Sequence, residues 1–134
     1  MSDDDQSSIA RRAATSALPF AELLARNYVE IATDLRDGKD QEALGALGAS
    51  TDELEHFLAF LVLIQDIVGE RDPEGATSVR DYHERILGII EGLQPALGFA
   101  DLVEVADTLE DDLVPSLRDY RQLDTTVQMA LMAA

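Results

Sequence analysis

Residues 100–120 read ADLVEVADTLEDDLVPSLRDY, and their pattern decides the fold. Leu102, Ala106, Leu109, Leu113, Leu117 and Tyr120 recur every three or four residues, the period of a helix that buries one face. Asp101, Glu104, Asp107, Glu110, Asp111 and Asp112 fall mostly on the other side. Asp101 is placed to cap the N-terminus, with Glu104 three residues on as in a capping box, and acidic residues there suit the positive end of the helix dipole. Arg118 and Arg121 come late, where the dipole favours cations. Pro115 has no N–H for the carbonyl of Asp111, so a kink is expected there.

Working outward, Gly69 to Ala76 (GERDPEGA) combines glycine, proline and charge and reads as a loop. A third helix is expected after a cap at Thr77 or Ser78. Its stripe runs through Val79, Tyr82, Ile86, Ile89 and Leu93, and Gly92 and Pro95 break it. Lys39 to Gly69 reads as one helix with an early part softened by Gly45 and Gly48. Leu44, Leu47, Leu54, Leu58 and Leu61 face its core. Within it, residues 57–64 (FLAFLVLI) are apolar at every position. One stripe cannot hide them, so this is the central helix of a bundle or it faces a second subunit.

Pro19 fits the first position of a helix carrying Phe20, Leu24, Tyr28, Ile31 and Leu35 and ending at Gly38. Residues 1–18 lack a strong stripe and are expected to form a flexible acidic arm, leaving 19–134 as a single bundle domain. After Asp124 the tail TTVQMALMAA carries no charged side chain and is expected to dock as a short helix, on the bundle or on a neighbour. The fold expected is all-α: an antiparallel up-and-down four-helix bundle with a kinked last long helix and a short C-terminal helix.

Composition narrows the function classes. The chain of 134 residues is long enough for one domain with a real core. Aromatic residues make up 5%, so aliphatic packing must dominate, with Tyr28, Tyr82 and Tyr120 each burying a ring and wetting its hydroxyl. There is no cysteine, which excludes disulfides and thiolate chemistry. The net charge of −17 repels nucleic acid and anionic membranes, so neither is an expected partner. No window is apolar enough for a membrane span and the acidic MSDDDQSS start is no secretory signal, so a cytoplasmic location is expected. One lysine, Lys39, stands against nine arginines, a pattern that suits a high-GC genome or a salt-rich cytoplasm.

No glycine-rich phosphate loop, nucleophile elbow or CxxC is present, and no cofactor is expected. Glu53 and His56 have the Glu-x-x-His spacing of carboxylate-bridged metal bundles, with Glu22 and Glu30 as further candidate ligands, but Arg80 stands where His83 would need its own glutamate. Glu104, Asp107 and Asp111 share a face and form a second cation candidate, though such rows are usually a solvated surface.

The segment DLVEVADTLEDDLVPSLRDY resembles one in a family of small uncharacterised bacterial helical-bundle proteins, with Asp101, Val103, Val105, Ala106, Asp107, Leu109, Glu110, Asp112, Leu113, Pro115 and Leu117 at comparable places. LRDGKDQEALGAL, residues 35–47, is similar to another segment of the same proteins. The resemblance implies a helical bundle and a link with motility or secretion neighbourhoods, and it carries no activity. The function expected is a non-catalytic protein-interaction module, self-associating or binding a partner helix, chaperone- or adaptor-like. Phe57, Phe60, Leu61, Ile64, Met129 and Leu131 are its interaction residues. The rival is a carboxylate/His metal-binding bundle of ferritin-like type using Glu53 and His56. A third reading is a salt-adapted domain whose charge serves solubility alone.

Overall fold

The computed structural model describes residues 3–132, and among these it is an antiparallel bundle without strands. Helix α1 spans Asp3–Arg36, α2 Asp40–Gly69 and α3 Pro73–Gly98. The last long helix is α4 (Leu102–Thr108), a π-helical turn over Leu109–Leu113, α5 (Val114–Arg118) and α6 (Tyr120–Met132). Helices α1 and α2, α2 and α3, and α3 and α4 pack as neighbours, and the last helix returns along α1. That closes the expected up-and-down square, with α1 and α3 on its diagonal.

The 100–120 stretch behaves as its period predicts. Ala106, Leu109, Leu113, Leu117 and Tyr120 are buried and Leu102 is half-buried. The Glu104 N–H donates to the Asp101 carboxylate at 3.1 Å, which makes Asp101 the N-cap. The kink takes the form of a widened turn before Pro115. With no N–H at 115 and its ring crowding the preceding turn, the Val114 N–H reaches back five residues to Leu109 O. The Ser116 hydroxyl donates to the Asp112 carbonyl at 2.7 Å.

The connections are short, and local hydrogen bonds close most of the helix ends that flank them. Gly38 adopts φ +80° and Lys39 N–H reaches Asp34 O at 2.9 Å, a Schellman ending in which glycine meets no side-chain penalty. The α3 end repeats the motif with a residue less suited to it. Ala100 has φ +53°, and Asp101 N–H reaches Ala96 O at 2.8 Å. The α2–α3 connection is shorter than the expected loop. Asp72 is the N-cap of α3, accepting from Gly75 N–H at 3.0 Å, and Pro73 sits in the first turn. Thr77 and Ser78 are therefore not caps, and their hydroxyls donate back to the Pro73 and Glu74 carbonyls.

The arm expected before Pro19 is corrected. Helix α1 begins at Asp3 and runs through Pro19, and Ala10, Ala14 and Ala17 lie in the core. Their small side chains give a weak hydrophobic signal, yet they let α6 approach closely enough for the Gln128 amide to donate to Ala14 O at 3.0 Å. Likewise α3 continues past Gly92 and Pro95 to Gly98. Leu44, expected in the core, is 40% exposed, and Ala43 takes the inward position. The tail helix begins at Tyr120, four residues before the expected cap at Asp124, and docks on the bundle through Leu123, Val127, Ala130 and Leu131.

The core is aliphatic along its length, but its centre is aromatic. The Phe57 ring of α2 lies 6.3 Å from Phe20 of α1, 6.5 Å from Tyr82 of α3 and 5.3 Å from Tyr120 of α6. The last two meet edge-on, the favoured geometry. The expected wet tyrosines are also corrected. The Tyr82 hydroxyl donates to the Ser116 carbonyl at 2.7 Å inside the core, and the Tyr28 and Tyr120 hydroxyls are buried without a partner in hydrogen-bonding geometry. Burial pushes Tyr28 up to about 12, with Thr51 holding it back a little and the Glu53 carboxylate adding to the rise. Burial raises Tyr82 and Tyr120 as well.

Two predictions arise from these features. A Cβ at Gly75 would lie 2.7 Å from Asp72 Oδ2 and 2.9 Å from Thr126 Cγ2, so Gly75→Ala should destabilise by about 1–2 kcal/mol as the cap is displaced. Ala100→Gly should stabilise by about 1 kcal/mol by relieving the left-handed alanine. Urea midpoints that move in the opposite senses would contradict both assignments. The tyrosine pKa values are raised above the unfolded value near 10. Their stabilising effect is therefore complete below pH 10 and is lost as pH climbs through about 12 for Tyr28. Tyrosinate absorbance should rise together with loss of helical circular dichroism. Ionisation near pH 10 in a fully helical protein would show that the hydroxyls are accessible.

Candidate functional site

The apolar run at 57–64 goes all the way round α2, and the bundle covers only part of it. Phe57, Leu58, Leu61 and Ile64 enter the core, since α2 packs against both α1 and α3. Phe60 is half-buried, while Val62 and Leu63 are 51% and 43% exposed. This corrects the interaction set read from sequence. Phe57, Leu61, Ile64 and Leu131 are committed to the chain's own core, and only Phe60 and Met129 keep accessible surface. Apolarity alone does not separate the inward side of a helix from the outward one when every position is apolar.

Phe60 stands in a shallow crevice of about 230 Å³ between α1 and α2. Ala13, Ser16, Ala17 and Phe20 form its α1 wall, and His56 and Phe57 complete the α2 wall. The small residues on α1 leave the room, and the two phenylalanine rings supply the floor. Along α1 the strip continues to Ile9 and Leu23, 46% and 43% exposed, and along α2 to Leu63 and the half-buried Ile67. Sequence reasoning missed Ile9, Ala13, Ser16 and Ala17 of the α1 half because they lie in the segment expected to be an arm. The signal was there at Ile9, Ala13, Ser16 and Phe20, spaced four, three and four.

Other clefts carry charge. Between α3 and α6, Arg85 pairs with Asp119 at 3.0 Å, and between α1 and the last helix Glu22 pairs with Arg118 at 3.4 Å. Glu53 and His56 do not converge. Glu53 lines a polar crevice with Asn27, Glu30, Asp34 and Ser50, whereas His56 faces the apolar one. One Glu53 oxygen is buried without a hydrogen-bond partner. Glu22 is engaged by Arg118, away from both. In the acidic row of the last helix, Asp107 is taken up by Arg36 at 2.9 Å, which also holds Glu110 at 3.1 Å. Among the described residues no three His, Asp or Glu side chains are grouped so as to hold a metal ion. No helix among them is long and apolar enough to cross a membrane.

Residues 14–123 match the family model described as Domain of unknown function (DUF8042), and the chain belongs to that family. No curated protein and no solved structure matches the chain.

Proposed function

We propose that this chain is a non-catalytic protein-interaction module, chaperone- or adaptor-like and working in the cytoplasm, that engages protein through the outer face of α1 and α2. The observation that supports the reading most is the partly uncovered apolar strip, with Ile9, Leu23 and Leu63 exposed and Phe20 and Phe60 half-buried, on an otherwise strongly acidic molecule. Large apolar side chains held outward on two neighbouring rigid helices are costly in water unless another surface covers them. Helical faces of this kind take up helices from a partner through residues spaced three and four apart. The charge of −17 disfavours nucleic acid and anionic lipid as the covering surface.

A photoreactive phenylalanine analogue at position 63 tests this reading in cells. It should give discrete protein adducts, whereas the same probe at the exposed Glu91 of α3 should give none. Leu23→Glu combined with Phe60→Glu should abolish the adducts while the helical content is retained. A probe at 63 that captures no protein would contradict the proposal.

A further inference from the structure

We propose that the surface covering the α1–α2 face is a second copy of this chain, related by a twofold axis running along the helices. The inference rests on the preceding reading of that face as a protein-docking surface. The first support is the sign of charge on its two edges. Arg12 and Arg26 are exposed on α1, and neither forms an ion pair among the described residues, whereas Arg36, Arg85 and Arg118 are paired across helices. Asp52 and Asp66 are exposed on α2, likewise without an ion pair among the described residues. The α1 side of the apolar strip thus carries two uncompensated arginines, with Glu30 as an exposed acidic residue beyond them, and the α2 side carries two uncompensated aspartates.

The second support is level. The Phe20–Phe57 contact fixes the register of the two antiparallel helices. Eight residues before Phe20 stands Arg12, level with the position eight after Phe57, next to Asp66. Six residues after Phe20 stands Arg26, level with the position six before Phe57, next to Asp52. A twofold axis along the helices lays α1 of one copy on α2 of the other and preserves level. It therefore sets Arg26 opposite the partner's Asp52 and Arg12 opposite the partner's Asp66, and symmetry repeats both pairs. An axis across the helices at the Phe20 level would lay α1 on α1, bringing Arg12 near the partner's Asn27 and Asp52 near the partner's Val62. The nearest opposite charge to Arg12 would be the partner's Glu30, two residues out of level, and Asp52 would meet none. A basic amphipathic helix fits less well, because Arg12 and Arg26 would repel it along one whole edge.

The test reverses one pair. Arg26 and Asp52 are exposed, so Arg26→Asp and Asp52→Arg should leave helical content unchanged. The unaltered chain should sediment as a dimer. Each variant alone sets like charges opposite each other at two symmetric places and should dimerise about tenfold more weakly. An equimolar mixture of the two variants regains opposite charges in both pairs and should recover the dimer. Asp52→Arg lowers the net negative charge, so weakening by that variant cannot come from overall repulsion. A monomeric unaltered chain, or a mixture no tighter than the separate variants, overturns the proposal. If the purified chain is monomeric while the position-63 probe captures a different protein, the docking reading stands and the second copy falls. If neither dimer nor adduct appears, both fall.

Discussion

All four sides of the bundle meet at the ring of Phe57, through α1, α2, α3 and α6. Five of the seven aromatic residues in the chain, Phe20, Phe57, Phe60, Tyr82 and Tyr120, meet there, one or more from each side of the square. The aliphatic stripes bring the helices together with little preference for height, because one leucine layer resembles the next. Rings packed edge to face are selective about position and are worth about 0.5–1.5 kcal/mol per pair beyond their buried area. The cluster fixes the relative heights of α1 and α2, and with them which charges stand level on the outer face. It also explains why a chain so poor in aromatic residues keeps most of them in one place.

Legibility in the sequence followed the strength of the local pattern. The stripe of the last helix, its Asp101 cap and the glycine ending at Gly38 were readable because each has one dominant local cause. Two errors share a different cause: proline was read as a helix boundary at Pro19 and Pro95, whereas the kink expected at Pro115 is present. Pro19, Pro95 and Pro115 all lie inside helices, and all three face solvent. A carbonyl that loses its N–H partner on an exposed face can be hydrated, so the helix continues at modest cost. Only at Pro115, where the flanking Leu113, Val114 and Ser116 are buried, does the backbone widen into a π turn. The alanines at 10, 14 and 17 were missed because their contribution is closeness, not hydrophobic area. Ile9, Ala13 and Ser16 of the candidate face were missed with them.

The distribution of cations separates stability from recognition. Arg36, Arg85 and Arg118 tie one helix to another at the surface. Exposed pairs of this kind contribute at most about 1 kcal/mol each, so they orient the last helix against α1 and α3 without holding the fold. The acidic back of that helix is partly neutralised by Arg36, which holds Asp107 and Glu110. What remains on α1 and α2 is an apolar strip with edges of opposite sign. That arrangement adds little to the stability of one chain, and under the proposed docking role it would govern the choice of partner.

The account depends on Phe57 joining all four sides of the bundle, and urea unfolding of Phe57→Ala tests that most directly. Removing a fully buried ring shared by four helices should cost about 3–5 kcal/mol, in one cooperative transition seen alike by circular dichroism and tyrosine fluorescence. A loss below about 1 kcal/mol, or separate transitions for the two probes, would contradict it.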